Sequence, residues 1–146
     1  MRVMVMVKAT PESENLSYSN EVMEKMFTEM GNYNEQLVNA GIMKTGEGLQ
    51  PSSNGKRIKF SGEKRTVVDG PFTEAKELVA GFWLWEVKDL NEAVEWAKRC
   101  PNPTGEEGEL EISVIGELED FGEAFTPEAR AQEERLRAEL EKQQKG

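Results

Sequence analysis

Residues 67–87 read VVDGPFTEAKELVAGFWLWEV and carry the strongest structural signal in the chain. A short β-branched run leads into the turn at residues 69–72, where Gly and Pro are typical turn formers. In the segment that follows, residues 80–87, the side chains on both faces are apolar. Phe82 and Leu84 lie on one face, and the two tryptophans lie on the other. Because a strand covered on both sides has this pattern, we predict a central strand here.

The hydrophobic periodicity of the remaining chain predicts the other elements. Before the central strand, they are a strand at residues 2–8, a polar loop at 10–20, a long helix at about 19–40, a strand at 42–49 and a hairpin with strands at 57–60 and 66–68. After the central strand, they are a helix that begins at Asp89 and ends before Pro101, and a strand at 109–114. Two βαβ-type halves with a hairpin inserted between them predict an α+β fold, the ferredoxin-like βαββαβ sandwich.

The central strand also predicts a partner. In a ferredoxin-like sandwich both helices cover the same face of the sheet, whereas the first and central strands are apolar on both faces. Trp83 and Trp85 would then form a large exposed patch, which is rare on a monomer. The simplest cover is the same face of a second copy related by a two-fold axis. We therefore predict a homodimer, with the sheets face to face and these tryptophans between them.

The bulk composition limits the classes of function. The chain has 146 residues, which suits one ordinary domain, and a formal net charge of −10, which disfavours binding to nucleic acid. No apolar run approaches the roughly 20 residues of a membrane span, and Lys8 interrupts the only segment that resembles a signal peptide. These features predict a cytoplasmic protein that does not bind membranes.

One basic cluster interrupts the acidic composition. It can be a solvated hairpin face or a site for an anion, and it consists of Lys56, Arg57, Lys59, Lys64 and Arg65.

The chain contains no histidine and one cysteine. The missing histidine excludes Ser-His-Asp and Cys-His mechanisms and removes the commonest ligand of catalytic zinc. Cys100 has no histidine to activate it, so we expect a half-buried structural thiol. The sequence therefore predicts no metal site and no organic cofactor.

The end of the chain differs in composition from the rest. Residues 126–146 are rich in Glu, Arg and Gln, and Pro127 occupies a first-turn position of a helix. Glu133 and Arg137 are spaced for an i,i+4 ion pair. We predict a domain at residues 1–125 followed by a charged C-terminal helical arm at 126–146.

Four segments of the chain resemble the YCII-related family, and specifically its DGPF branch. They are Asp69-Gly70-Pro71-Phe72, Ala80-Gly81-Phe82-Trp83, Trp96-Ala97-Lys98-Arg99-Cys100-Pro101 and Glu119-Asp120-Phe121-Gly122. The resemblance extends over about residues 2–125. It implies the fold of the dimeric α+β barrels, which include muconolactone isomerases and small-molecule monooxygenases.

The resemblance also implies where chemistry takes place. In relatives of the family an aspartate–histidine pair is the proposed active site, and Asp69 matches the aspartate. Many DGPF relatives carry histidine in the segment that reads Gly48-Leu49-Gln50-Pro51 here. Gln50 can orient a ligand through hydrogen bonds, but glutamine cannot shuttle a proton.

The candidate site residues are therefore Asp69, Gln50, Arg57, Phe72 and Trp83. Asp69 is the predicted acid or base; the alternative is a turn former bonded to its own backbone. Phe72 and Trp83 would form an apolar wall, with core packing as the alternative, while Gln50 would orient a ligand and Arg57 would bind its anionic group or neutralise a nearby carboxylate.

Two functions fit these residues. The first is a cofactor-independent enzyme that moves a proton on a small carbonyl or lactone-like compound. The second is a non-catalytic module that binds a small ligand or serves regulation on the same fold, and the missing histidine favours it. An assembly role for the acidic tail has thinner support.

Overall fold

The computed structural model describes residues 1–145 and divides the chain into two compact units. The first unit is Met1–Val114, and the second begins at Ile115. Within the described chain, no helix combines the length and the apolar character that crossing a membrane would require.

The first unit contains six strands and three α-helices. The strands are β1 (Arg2–Lys8), β2 (Met43–Gly48), β3 (Lys56–Ser61), β4 (Lys64–Asp69), β5 (Val79–Glu86) and β6 (Leu110–Val114). The helices are α1 (Pro11–Asn15), α2 (Asn20–Asn39) and α3 (Leu90–Lys98). Two short 3₁₀ turns, at Ser52–Asn54 and Ala75–Glu77, precede β3 and β5 respectively.

Four of the six strands form one sheet in the order β2-β5-β1-β6, and every neighbouring pair in it is antiparallel. This is the strand order of a ferredoxin-like sandwich, so the predicted α+β fold is confirmed. Strand β5 lies inside the sheet, as its apolar faces predicted. Strands β3 and β4 form a separate hairpin, which is the predicted insertion.

Local sequence explains where α2 begins and ends and where α3 begins. The Ser19 side chain caps α2 by accepting a hydrogen bond from the Val22 N–H, and Gly41 has a φ of 73° just after the helix. The Asp89 side chain caps α3 through the Glu92 N–H. The carboxylate of Glu92 accepts from the Lys88 N–H rather than from the cap residue itself.

Helices α2 and α3 pack on one face of the sheet. Their buried side chains and those of the inner strands form a single core cluster that includes Val3, Val5, Leu37, Trp85 and Ala93. Burial of these apolar side chains is the main source of stability of the unit.

The predicted position of the tryptophans is wrong. Trp85 is fully buried and Trp83 is 5% exposed, both beneath the helices of their own chain. The Trp83 ring meets the Tyr33 ring edge to face, with their centroids 5.8 Å apart. Alternation along β5 shows that two faces exist, but not which face the helices cover. The large indole rings fill the space between sheet and helices.

The opposite face of the sheet carries the smaller set of apolar side chains. Met4 pairs in register with Leu84, and Met6 pairs with Phe82, so the four form one continuous patch. All four are partly exposed. We call this surface the open face.

Three glutamates edge the open face. Glu47 lies beside Phe82 on β2, Glu111 lies beside Met6 on β6, and Glu86 ends β5. We call these three residues the acidic rim.

Residues 10–20 contain a short helix where the sequence predicted only a loop. Thr10 accepts a hydrogen bond from the Ser13 N–H, and the Ser13 hydroxyl accepts one from the Thr10 N–H. This reciprocal cap, with Pro11 in the first turn, starts α1. The polar composition hid the helix because α1 buries no residue.

The second unit has a 3₁₀ segment at Leu118–Ala124 and the exposed helix α4 at Pro127–Lys145. Pro127 begins α4, as predicted. Arg137 Nε lies 3.0 Å from Glu133 Oε1, the predicted i,i+4 pair. The division into a domain and an arm at residue 125 stays a prediction, because the compact units part earlier, after Val114.

Candidate functional site

Asp69 stands at the base of the hairpin, where β4 ends. It pairs in register with Lys56, and the Lys56 ammonium donates to its carboxylate at 2.5 Å. The side chains of Lys56 and Asp69 are 64% and 75% exposed. The carboxylate therefore neither bonds its own turn nor faces a closed cavity. It is a solvent-accessible anion held beside a cation.

Residue 70 must be glycine because two chain segments approach each other closely there. A Cβ added to Gly70 would lie 1.8 Å from the Ser52 carbonyl oxygen, which leaves no space for any side chain. The Gly70 N–H also donates to the Gly55 carbonyl at 3.0 Å. The peptide bond that joins Gly70 to Pro71 is cis. The turn at residues 69–72 thus packs tightly against the loop at residues 50–55.

Ser52 connects this turn to α1. Its hydroxyl accepts a hydrogen bond from the Phe72 N–H at 3.0 Å and donates one to the Glu14 carboxylate. Its own backbone N–H donates to Glu14 Oε1 at 2.9 Å. One serine and one glutamate therefore hold three segments of chain in fixed positions.

Sequence reasoning missed both residues of this connection. Glu14 lies in a segment predicted to be loop, and Ser52 lies in a Pro-Ser-Ser-Asn-Gly run that indicates only a turn. No local pattern pairs residues 38 positions apart. The only available hint was the pair of serines, whose hydroxyl groups commonly bond to backbone in turns.

Phe72 and Arg57 form the second pair at the base of the hairpin. The Arg57 guanidinium carbon lies 3.8 Å from the centroid of the half-buried Phe72 ring. This is a cation–π contact. Arg57 therefore stacks on the predicted aromatic wall. Arg65, at the other end of the hairpin, stacks on Phe60 at 4.5 Å.

Gln50 lies on the loop that packs against the turn, and Trp83 lies elsewhere. Gln50 Oε1 accepts from Asn54 Nδ2 at 2.9 Å, in an exposed position. The Trp83 indole N–H donates to Asn34 Oδ1 at 2.8 Å inside the core. The structure thus collects four of the five predicted site residues at the base of the hairpin and corrects the expected placement of Trp83.

We call this group the DGPF site; it consists of Gln50, Ser52, Lys56, Arg57, Asp69 and Phe72. It offers a carboxylate beside an ammonium group, together with a guanidinium group stacked on an aromatic ring. Such a set can accept a proton and can stabilise negative charge on a bound molecule. Across residues 1–145, no three His, Cys, Asp or Glu side chains are grouped so that they could hold a metal ion.

Two shallow clefts of the first unit, of about 340 and 480 Å³, contain none of the predicted site residues. The smaller lies along α3 and includes Trp96 and Arg99. The larger includes Tyr18, Thr104 and Glu106, and the Tyr18 hydroxyl donates to the Glu106 carboxylate.

Three groups outside the DGPF site have shifted pKa values. Burial raises the pKa of the Cys100 thiol to about 11. Burial also raises the pKa of Tyr33, with a smaller contribution from the nearby Cys100. Desolvation, followed by the hydrogen bond to Glu106, raises the pKa of Tyr18. All three groups are therefore neutral at pH 7.

A family model for the YCII-related domain matches residues 1–117. This chain belongs to the YCII-related family. The match covers the sheet, the helices that pack on it and the whole DGPF site.

One similar protein is an uncharacterized protein of Rhizobium meliloti (strain 1021), 29% identical over 104 residues. That match spans 71% of this chain and 84% of the relative. A solved structure with some likeness is the 5-chloro-2-hydroxyhydroquinone dehydrochlorinase from Burkholderia phenoliruptrix AC1100, in complex with 2,5-dihydroxybenzoquinone. It shares 17% identity and a TM-score of 0.40, over 80% of this chain and 96% of the other. A likeness at this level says nothing about the activity of this chain.

Proposed function

We propose that this protein is a cofactor-independent enzyme that transfers a proton on a small carbonyl or lactone-like compound at the DGPF site. The observation that carries the proposal is the pairing of Asp69 with Lys56 beside the stack of Arg57 on Phe72. It supplies an accessible base, fixed cations and an apolar surface in one place.

The chemistry follows from these groups. The Asp69 carboxylate removes a proton from the carbon next to the carbonyl, and the C–H electron pair moves into the carbonyl to form an enolate. Lys56 and Arg57 stabilise the negative charge on the enolate oxygen. Asp69 then returns the proton to the same or a conjugated carbon, which gives exchange or isomerisation without any oxidant. Phe72 contacts the apolar part of the compound, and Gln50 orients it.

The second candidate is a binding module that uses the same surface without turnover. Two observations favour it: the chain has no histidine, and the Gln50 amide oxygen is already occupied by Asn54. In this case Lys56 and Arg57 bind an anionic group of the ligand, and Asp69 only keeps Lys56 in place.

Deuterium exchange tests the catalytic proposal even when the natural substrate is unknown. A panel of small ketones, enones and lactones is incubated with the protein in D₂O, and loss of the α-proton signal is followed by NMR. For at least one compound we expect exchange well above the buffer rate. In Asp69→Asn we expect a fall of about 10²-fold or more, typical for removal of a general base. Ser53→Ala, an exposed neighbour, is the matched control.

The two candidates give different results. A compound that binds to wild-type protein and to Asp69→Asn alike, with no exchange in either, supports the binding module. If no compound of the panel binds or exchanges, both functions lose their support at this site.

We also propose that the protein is a cytoplasmic homodimer, joined through the open face. The patch of Met4, Met6, Phe82 and Leu84 is apolar, partly exposed and central in the sheet. Two such faces related by a two-fold axis would bury each other. The proposal of a dimer therefore rests on these four residues and no longer on the two tryptophans.

Sedimentation equilibrium tests the dimer. We expect the wild type to dimerise and Leu84→Arg to sediment as a monomer, because an unpaired charge would be buried in the interface. Val38→Arg, which alters an exposed apolar residue on α2, should leave the dimer intact. A monomeric wild type at concentrations up to about 100 μM would exclude a dimer of ordinary affinity.

A further inference from the structure

Most side chains of the β3–β4 hairpin are exposed and, apart from the stack of Arg57 on Phe72, pack on no other element described in the first unit. All six residues of β3 are exposed, and so are all residues of β4 except the half-buried Val68. A lone two-stranded hairpin is at best marginally stable in water, and it normally packs on a third strand or a helix. A persistent hairpin of this kind therefore requires another surface.

One face of the hairpin is suited to contact such a surface. The strand register places Ile58 opposite Val67, and Phe60 opposite Arg65. Because side chains alternate along a strand, these four share one face, with the Lys56–Asp69 pair at its base. Ile58, Phe60 and Val67 are all exposed, so they form a contiguous apolar strip.

Charge indicates what covers this strip. Residues 56–69 contain five basic and two acidic side chains, a net charge of +3, although the whole chain carries −10. The rest of the molecule therefore carries −13, so the hairpin is its oppositely charged segment. A second copy of the chain presents a strongly acidic surface to this hairpin. Attraction between such surfaces sets orientation and speeds association.

We propose that the hairpin is an arm that docks, through Ile58, Phe60 and Val67, on the acidic rim of the open face of a second copy. This rests on the homodimer proposed above and extends it, because the arm adds a contact beside the joined open faces. The rim offers carboxylates next to apolar side chains, and the arm offers cations next to apolar side chains.

The arm also connects the dimer to the DGPF site. Lys56 is the first residue of the hairpin and Asp69 is the last, and the two form the ion pair of the site. Docking of the arm therefore adds a further constraint on Lys56 and Asp69, beyond the ion pair that the single chain already forms.

Two phenylalanines of equal exposure provide a matched test. Phe60 is 72% exposed on the arm, and Phe27 is 71% exposed on α2. The dimer dissociation constant is measured by sedimentation equilibrium for wild type, Phe60→Ser and Phe27→Ser. We expect an increase of tenfold or more for Phe60→Ser and less than twofold for Phe27→Ser. Circular dichroism checks that both variants remain folded.

A second variant keeps the apolar strip and alters only the charge. Lys59→Glu combined with Lys64→Glu changes the net charge of the arm from +3 to −1. We expect weaker dimerisation at low salt, with the difference from wild type shrinking as salt is added. This variant keeps the proposal testable if Phe60→Ser fails to fold.

The outcomes separate the two proposals. If the wild type is a dimer and both arm variants have the same dissociation constant as the wild type, the proposal that the arm docks on the second copy is wrong. The open-face dimer is then still supported. A wild type that is monomeric overturns both.

Discussion

The hydroxyl of Ser52 accepts a hydrogen bond from the backbone N–H of Phe72 at 3.0 Å. The same hydroxyl donates to Glu14, so α1, the loop at residues 50–55 and the turn at residues 69–72 are held together at one atom. Phe72 in turn supports the guanidinium group of Arg57. The geometry of the DGPF site therefore depends on a serine outside the DGPF sequence.

Replacement of Ser52 by alanine tests this dependence. The Phe72 N–H and the Glu14 carboxylate each lose a partner in a partly buried position, which costs about 1–3 kcal/mol of unfolding free energy. Urea denaturation of Ser52→Ala and of its exposed neighbour Ser53→Ala gives the comparison. Equal unfolding free energies for the two variants would show that the Ser52 hydroxyl contributes nothing to stability.

A methyl group at Gly70 tests the close approach of turn and loop. The added Cβ would lie 1.8 Å from the Ser52 carbonyl oxygen, so one of the two segments must move. We expect Gly70→Ala to destabilise the protein by about 3 kcal/mol, the upper end of the usual range for overpacked sites. Gly48→Ala, where an added Cβ meets nothing within 4 Å, is the control. Similar thermal unfolding of both variants would contradict the packing described here.

Stability should fall at alkaline pH because the buried Tyr33 and the half-buried Cys100 favour their neutral forms. Burial raises the pKa of Cys100 from 9.0 to about 11 and raises that of Tyr33 above its ordinary 10.0. The stabilisation is complete below the unfolded-state pKa values and is lost as pH rises through the folded-state values. We therefore expect the unfolding free energy to decrease from about pH 9 upward.

Urea denaturation between pH 8 and pH 11 measures this decrease. Cys100→Ala should remove the part of the slope that begins near pH 9 and leave the part due to Tyr33. An unfolding free energy that stays constant to pH 11 would mean that neither group is buried as described.

The raised pKa of Cys100 also predicts low reactivity. A thiol with a pKa of about 11 has roughly 100-fold less thiolate at neutral pH than an exposed cysteine, and only the thiolate is alkylated rapidly. Mass spectrometry should show slow modification by iodoacetamide in buffer and fast modification in urea. Rapid modification of the folded protein would indicate an activated thiol.

Much of the fold could be predicted because it is written in local patterns. The hydrophobic periodicity of about residues 19–40 predicted α2, and the alternation along residues 80–87 predicted β5. The strand order then followed from the sequence of elements. The face of β5 that the helices cover could not be predicted, because Trp83 and Leu84 are both large apolar residues and only packing distinguishes them.

The candidate site was predictable only in part, for a related reason. Asp69, Phe72 and Gln50 stand out because they lie in or near a distinctive turn. Glu14 and Ser52 act through contacts between distant segments, and neither has a local sequence signature. The Lys56–Asp69 pair depends on hairpin register, which sequence alone fixes to within one or two residues at best.

Backbone amide shifts of ¹⁵N-labelled protein, titrated with a compound that the exchange panel identifies, test the central claim most directly. We expect the largest shifts at Arg57, Asp69, Gly70 and Phe72, and their loss in Asp69→Asn if the carboxylate takes part in binding. Shifts confined to the cleft beside Tyr18 and Glu106, with the turn unaffected, would contradict the assignment of the DGPF site.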